Sequence, residues 1–148
     1  MKGRLGPLAL VAFAVLAASR AAAQTTDNTA TYKQATSGVR DFMIGATAVR
    51  VLIDSATLGG KELELAHLTF PPGGAPRAHV HGHVEVLYVL SGELDHVVNG
   101  VSHPLKPGMA GIVRPGDQVT HRVPGADSVR VLVIWAPGSE LARIAPPR

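Results

Sequence analysis

The chain contains no cysteine. That excludes disulfides, thiolate metal ligands and a cysteine nucleophile, and it leaves histidine and carboxylate chemistry. Aromatic residues are scarce, at 4% of 148 residues. Charge of one sign is scarce too: Lys2, Arg4 and Arg20 account for the whole formal charge of +3, because 14 basic residues less these 3 leave 11 against 11 acidic ones. With no Lys/Arg run and few rings to stack on bases, nucleic acid is not expected as a partner. Nucleophile-elbow, Walker and dinucleotide fingerprints are also missing. No apolar run reaches the roughly 20 residues of a membrane span; Leu8 to Ala18 falls short, and Arg20 follows it.

What that run does resemble is a secretory leader. Lys2 and Arg4 precede it, and Ala21-Ala22-Ala23 before Gln24 is a small-residue cleavage site. Residues 1–23 are read as a signal peptide, with an uncleaved anchor as the alternative. The mature protein would be periplasmic or secreted, without stable membrane insertion after cleavage. Residues 24–46, polar and Thr-rich at their start, are read as a flexible N-terminal arm. Residues 47–138 form the folded domain and 139–148 a C-terminal tail, in which Ser139 to Ile144 could make a short helix.

Within the domain, short β-branched runs alternate with Gly and Pro. Val49 to Ile53, Glu62 to Phe70, Glu85 to Leu90, Glu93 to Val98, Ala110 to Val113, Val119 to Val123 and Ser128 to Trp135 read as strands. Asn99-Gly100 is a two-residue hairpin signal, and Pro71-Pro72-Gly73-Gly74, Pro107-Gly108 and Pro115-Gly116-Asp117 mark turns. Strands of this length and spacing make an all-β sandwich or barrel. Periodicity leaves jelly roll, immunoglobulin-like sandwich and up-and-down barrel open.

Three of the seven histidines lie in His79-Val80-His81-Gly82-His83-Val84-Glu85. Along a strand alternate side chains share a face, so all three and Glu85 could point the same way. Imidazole nitrogens and one carboxylate oxygen suit Fe, Mn, Ni, Zn or Cu. The bland alternative is a solvated loop cluster. Glu85, however, opens the apolar strand Val86 to Leu90, where an inward carboxylate needs a partner and a metal ion supplies one. His96 alternates with Leu94 and Val98 and is either a cavity-lining acid/base or a hydrogen-bonded interior residue. The face of His67 is ambiguous, because the alternation slips near Ala66, and His103 should be exposed beside its hairpin.

Gly73, His79, His81, Glu85 and Gly92 stand at the fixed positions of the first motif of the cupin family, over 20 residues. The similarity extends from about Leu63 to Trp135 and implies a double-stranded β-helix, a jelly-roll barrel. The family's second motif is Gly, five residues, Pro-x-Gly, two residues, His, three residues, Asn. Gly108, Pro115, Gly116 and His121 resemble it with altered spacings, and Gly125 stands at the Asn position. Val119, His121 and Val123 alternate on one strand face, the register an inward ligand needs.

The resemblance implies a divalent metal site of His79, His81, Glu85 and His121. His83 and His96 would be supporting or cavity residues, and two coordination positions would stay open. It also implies a small organic ligand or substrate, with oxygenase, decarboxylase, lyase or isomerase chemistry, or else a binding module without turnover. A homodimer is expected from the family habit and the exposed jelly-roll edges.

Overall fold

The computed structural model describes residues 40–74 and 77–145. The leader and most of the arm lie outside these residues. Strands β1 (Arg40–Ile44), β2 (Thr47–Ile53), β3 (Glu64–Phe70), β5 (Val84–Ser91), β8 (Ala110–Val113) and β10 (Val129–Ala136) form one sheet, in the order β1-β2-β3-β10-β5-β8. The other is β4-β9-β6-β7, from β4 (His79–Val80), β6 (Leu94–Val98), β7 (Val101–Leu105) and β9 (Gln118–Arg122). Helices α1 (Ser55–Leu58) and α2 (Glu140–Ile144) are single turns. Every recorded strand pairing is antiparallel. The fold is the double-stranded β-helix, and the other two all-β architectures drop out.

One core joins the sheets. Val49, Val51, Ala66, Leu68, Leu87, Val89, Val131, Val133 and Trp135 come from the six-stranded sheet, and Leu94 and Leu105 from the other. Burying a Leu or Val side chain contributes about 1.5–3 kcal/mol, so this cluster dominates stability. Two glycines shape the frame. Asn99 and Gly100 both have positive φ, 51° and 81°, as the tight β6–β7 hairpin requires. Gly92 has φ 80° at the corner where the chain leaves one sheet for the other, and an added Cβ would lie 2.9 Å from the Ser128 carbonyl oxygen.

Two expectations need correction. The domain extends at both ends: β1, placed in the arm, pairs with β2, and α2, placed in the tail, buries Glu140 and Leu141. In β3 the inward residues are Glu64, Ala66, Leu68 and Phe70, so a carboxylate is buried beside apolar neighbours. The reason is a hydrogen bond: the Glu64 carboxylate accepts from the Leu141 N–H at 2.9 Å and caps the first turn of α2. Finally, residues 79–85 are not one strand. β4 stops at Val80 and β5 starts at Val84, with a bend between them that breaks the shared parity of His79, His81, His83 and Glu85.

Candidate metal centre

The topology brings His79, His81, Glu85 and His121 to one cavity of about 370 Å³ at the mouth of the barrel. Glu85 enters from the six-stranded sheet. His79 and His121 enter from the four-stranded one, where β4 and β9 pair with His79 opposite Val119. His81 sits on the bend. The His79 and His81 Nε2 atoms are 3.1 Å apart, His81 Nε2 is 3.1 Å from Glu85 Oε2, and His121 Nε2 is 3.6 Å from Glu85 Oε1. The wall is apolar where Leu68, Phe70, Val123, Trp135 and Ile144 line it, and Arg77 and Thr47 add polar groups.

His79 Nδ1 faces the Arg77 carbonyl at 3.0 Å, an acceptor, so it donates. His81 Nδ1 faces a Glu140 oxygen at 3.1 Å and donates to it. In neutral rings both Nε2 atoms are then bare lone pairs, pointed at each other and at a carboxylate. Such a contact of acceptors needs a proton or a cation between them.

Electrostatics agrees with this reading. Burial pulls the His81 imidazole down, but hydrogen bonds and charge from Glu85 and Glu140 override it and raise it above its ordinary value. Burial pushes His121 down to about 4 against the pull of Glu85, with His96, His79 and His81 adding to the depression. Burial would raise Glu85, yet the His81 hydrogen bond, the charges of His121 and His81 and the Trp135 indole hold it down to about 2. Near neutrality the site therefore keeps a fixed anion beside an unprotonated His121. Glu85 Oε1 and His121 Nε2 are buried and have no hydrogen-bond partner.

Among the described residues, no group of three or more His, Cys, Asp or Glu side chains is arranged to hold a metal ion as the side chains stand. The donor types nevertheless suit a divalent ion, and three separations among the four can be compared with those between ligands of one ion. For bonds of about 2.1 Å, neighbouring ligands stand about 3.0 Å apart in an octahedron and about 3.4 Å in a tetrahedron, close to the separations found here.

The two supporting histidines part company. His83 turns away: its Nδ1 donates to Glu140 at 3.1 Å, and the Ser139 hydroxyl lies 3.4 Å from Nε2. His96 is buried and does not line the cavity; it stacks on His121 with ring centroids 5.2 Å apart, and burial lowers its pKa. Its two nitrogens have no hydrogen-bond partner. His103 is exposed, and His67 points out of the barrel, where it accepts from Arg130 Nε at 3.2 Å.

Sequence reading missed Trp135 and Glu140. Trp135 is the register partner of Glu85, and its indole N–H donates to Glu85 Oε2 at 2.9 Å. A lone tryptophan at the end of an apolar strand was the available signal. Replacing Trp135 with Phe keeps most of the packing but leaves that oxygen short of a donor, and urea unfolding is expected to show about 1–3 kcal/mol less stability. An unchanged value would mean that the indole bond contributes little.

The sequence matches a family model described as "Cupin domain" over residues 66–135. No curated protein matches it. Among solved structures, an RmlC-like cupin from Shewanella frigidimarina aligns with TM-score 0.58 and 23% identity, covering 68% of this chain and 86% of that one. KdgF from a Halomonas species aligns with TM-score 0.60 and 16% identity, covering 72% and 97%. Ectoine synthase from P. lautus aligns with TM-score 0.61 and 21% identity, covering 70% and 73%. At these identities the likeness speaks for the fold.

Proposed function

This chain belongs to the cupin superfamily, and from that premise we propose that His79, His81, Glu85 and His121 hold one divalent metal ion that acts on a small organic substrate in the apolar cavity. The observation that carries the reading is the set of opposed acceptors: two Nδ1-committed imidazoles with Nε2 atoms 3.1 Å apart, beside buried Glu85 Oε1 and His121 Nε2 atoms that lack partners. The ion would supply Lewis acidity, or electron transfer where the metal is redox-active, to chemistry of the oxygenase, decarboxylase, lyase or isomerase kind.

The chain's own groups do the rest. Glu85 contributes the single negative charge, and the Trp135 indole N–H fixes the plane of its carboxylate. Phe70 packs on His121 with ring centroids 5.1 Å apart and, with Leu68 and Val123, keeps water from that face. A cavity of about 370 Å³ with mostly apolar walls suits a small molecule. Arg77 is a cation on the cavity wall placed to meet one carboxylate.

The proposal includes export, with cleavage before Gln24, and a homodimer. Supporting the dimer, the outer face of the six-stranded sheet leaves Tyr88, Leu90, Ile112 and Ile134 exposed, with Ile112, Val86 and Ile134 in one cross-strand row. Native mass spectrometry of protein recovered from the cell envelope tests all three parts at once. The expected species is a dimer of chains starting at Gln24 with one divalent ion per chain. A metal-free protein that takes up no Fe, Mn, Ni, Zn or Cu ion would sink the metal reading, an intact Met1 would reverse the export reading, and a strict monomer would remove the dimer.

A further inference from the structure

We propose that Glu140, on the C-terminal helix, is the positioning residue of this site: it locks His81 in the Nδ1–H tautomer, draws His83 away, and so ties the docking of α2 to the ability of His81 to bind a cation. The cation part rests on the metal reading above; the tautomer part stands without it.

Glu140 has 0% of its surface exposed, and both of its oxygens are engaged. Oε1 receives His81 Nδ1 at 3.1 Å and Arg143 Nη1 at 2.8 Å. Oε2 receives His83 Nδ1 at 3.1 Å, the Gly82 N–H at 3.3 Å and Arg143 Nη1 at 3.0 Å. An ionised carboxylate only accepts, so each imidazole facing it must present N–H at Nδ1. That choice leaves His81 Nε2 as a lone pair on the cavity side, 3.1 Å from both His79 Nε2 and Glu85 Oε2. A carboxylate behind a ligating histidine fixes the ring's tautomer and orientation and makes the opposite nitrogen more basic.

The arrangement does more than neutralise a buried charge. Arg143, three residues along the same helix, already does that at 2.8 Å. The remaining donors, His81, Gly82 and His83, all belong to the bend between β4 and β5, so one carboxylate organises the whole bend. A Cβ on Gly82 would lie 2.7 Å from Arg143 Nη1 and 3.7 Å from Glu140 Oε2, so the loop backbone packs directly against these two side chains. A helix of one turn does not persist alone. This one is held by Glu64 on the Leu141 N–H at 2.9 Å, by buried Leu141 and by Ile144 against the core.

The test uses the full mature chain with Glu140→Gln and Glu140→Ala. The tautomers of His81 and His83 are read by ¹⁵N NMR of metal-free protein at a pH where both rings are neutral, and Zn²⁺ affinity is measured by competition titration. Wild type is expected to show Nδ1–H on both rings. In Glu140→Ala, His81 should shift substantially to the Nε2–H form, and Zn²⁺ affinity should fall about 10–100-fold. Glu140→Gln keeps the side chain's shape, but its amide has one accepting oxygen in place of two, so at least one of the two rings should change tautomer. This variant decides the matter if the alanine variant does not fold.

Both rings keeping Nδ1–H in every folded variant would overturn the proposal, as would, in Glu140→Ala, Zn²⁺ affinity within threefold of wild type alongside an unchanged His81 tautomer. A wild type that binds no Zn²⁺ or other divalent ion would sink the metal reading, while the tautomers still decide the role of Glu140.

Discussion

Glu85→Gln is expected to weaken divalent-ion binding at least about a thousandfold, or about 4 kcal/mol, without unfolding the protein. Glu85 is the only anion among the four candidate ligands, and its carboxylate stays ionised because the site holds its pKa near 2. The amide has the same shape and keeps an oxygen for the Trp135 indole, now at 2.9 Å from Oε2. Its NH₂ group, at the Oε1 position, faces the lone pair of His121 Nε2, so that pair of opposed acceptors becomes a donor–acceptor pair. The variant thus fills the site internally as well as removing its charge. Isothermal titration with Zn²⁺ or Mn²⁺ measures the loss, and far-UV circular dichroism checks the fold. Binding within tenfold of wild type would remove Glu85 from the ligand set.

Part of this site was legible in the sequence because it is local. His79, His81 and Glu85 fall within seven residues, and the strand rule placed Val119, His121 and Val123 on one face, which the burial of Val119 and His121 matches. The jelly-roll fold was implied by the resemblance to the cupin motif, and the turns were legible locally; Asn99-Gly100, for example, has positive φ at both positions. What escaped was decided by partners far along the chain. His83 had the parity to point inward, but Glu140, 57 residues later, holds it outside. The role of Glu64 was not visible because nothing local shows that it caps a helix 77 residues away. Trp135 meets Glu85 across 50 residues through the β5–β10 register alone. A pattern of period two reports which face a residue takes in a continuous strand, and it carries no information about where the strand bends or which buried carboxylate finds a donor.

Chelation at neutral pH is expected to leave a folded protein that melts lower and in one transition. The core of Val49, Leu68, Leu87, Val131 and their neighbours is complete without any of the four candidate ligands, which sit at its mouth. An ion present at about 100 times its Kd stabilises by about 2.7 kcal/mol, and its removal should lower the Tm by roughly 10–15 °C for a domain of this size.

The pH dependence carries the same signature. His121 is depressed from 6.5 to about 4, so the metal-free fold loses stability as pH falls through that window. Glu85, lowered from 4.5 to about 2, adds a further loss as pH falls below 4.5. His81 runs the other way: its raised pKa contributes stability below 6.5 that disappears as pH climbs past the raised value. In the metal-free protein a proton on His81 answers the opposed lone pairs that an ion would otherwise satisfy, so proton and ion compete for one position. The gap in Tm between metal-loaded and metal-free protein should therefore widen from about pH 5.5 to pH 8, because the imidazoles must shed protons to bind. Differential scanning calorimetry across that range measures it. Loss of the β-sheet circular dichroism signal on adding chelator at pH 7 would mean that the ion holds the fold together, and would overturn the view of a self-sufficient barrel carrying a working site.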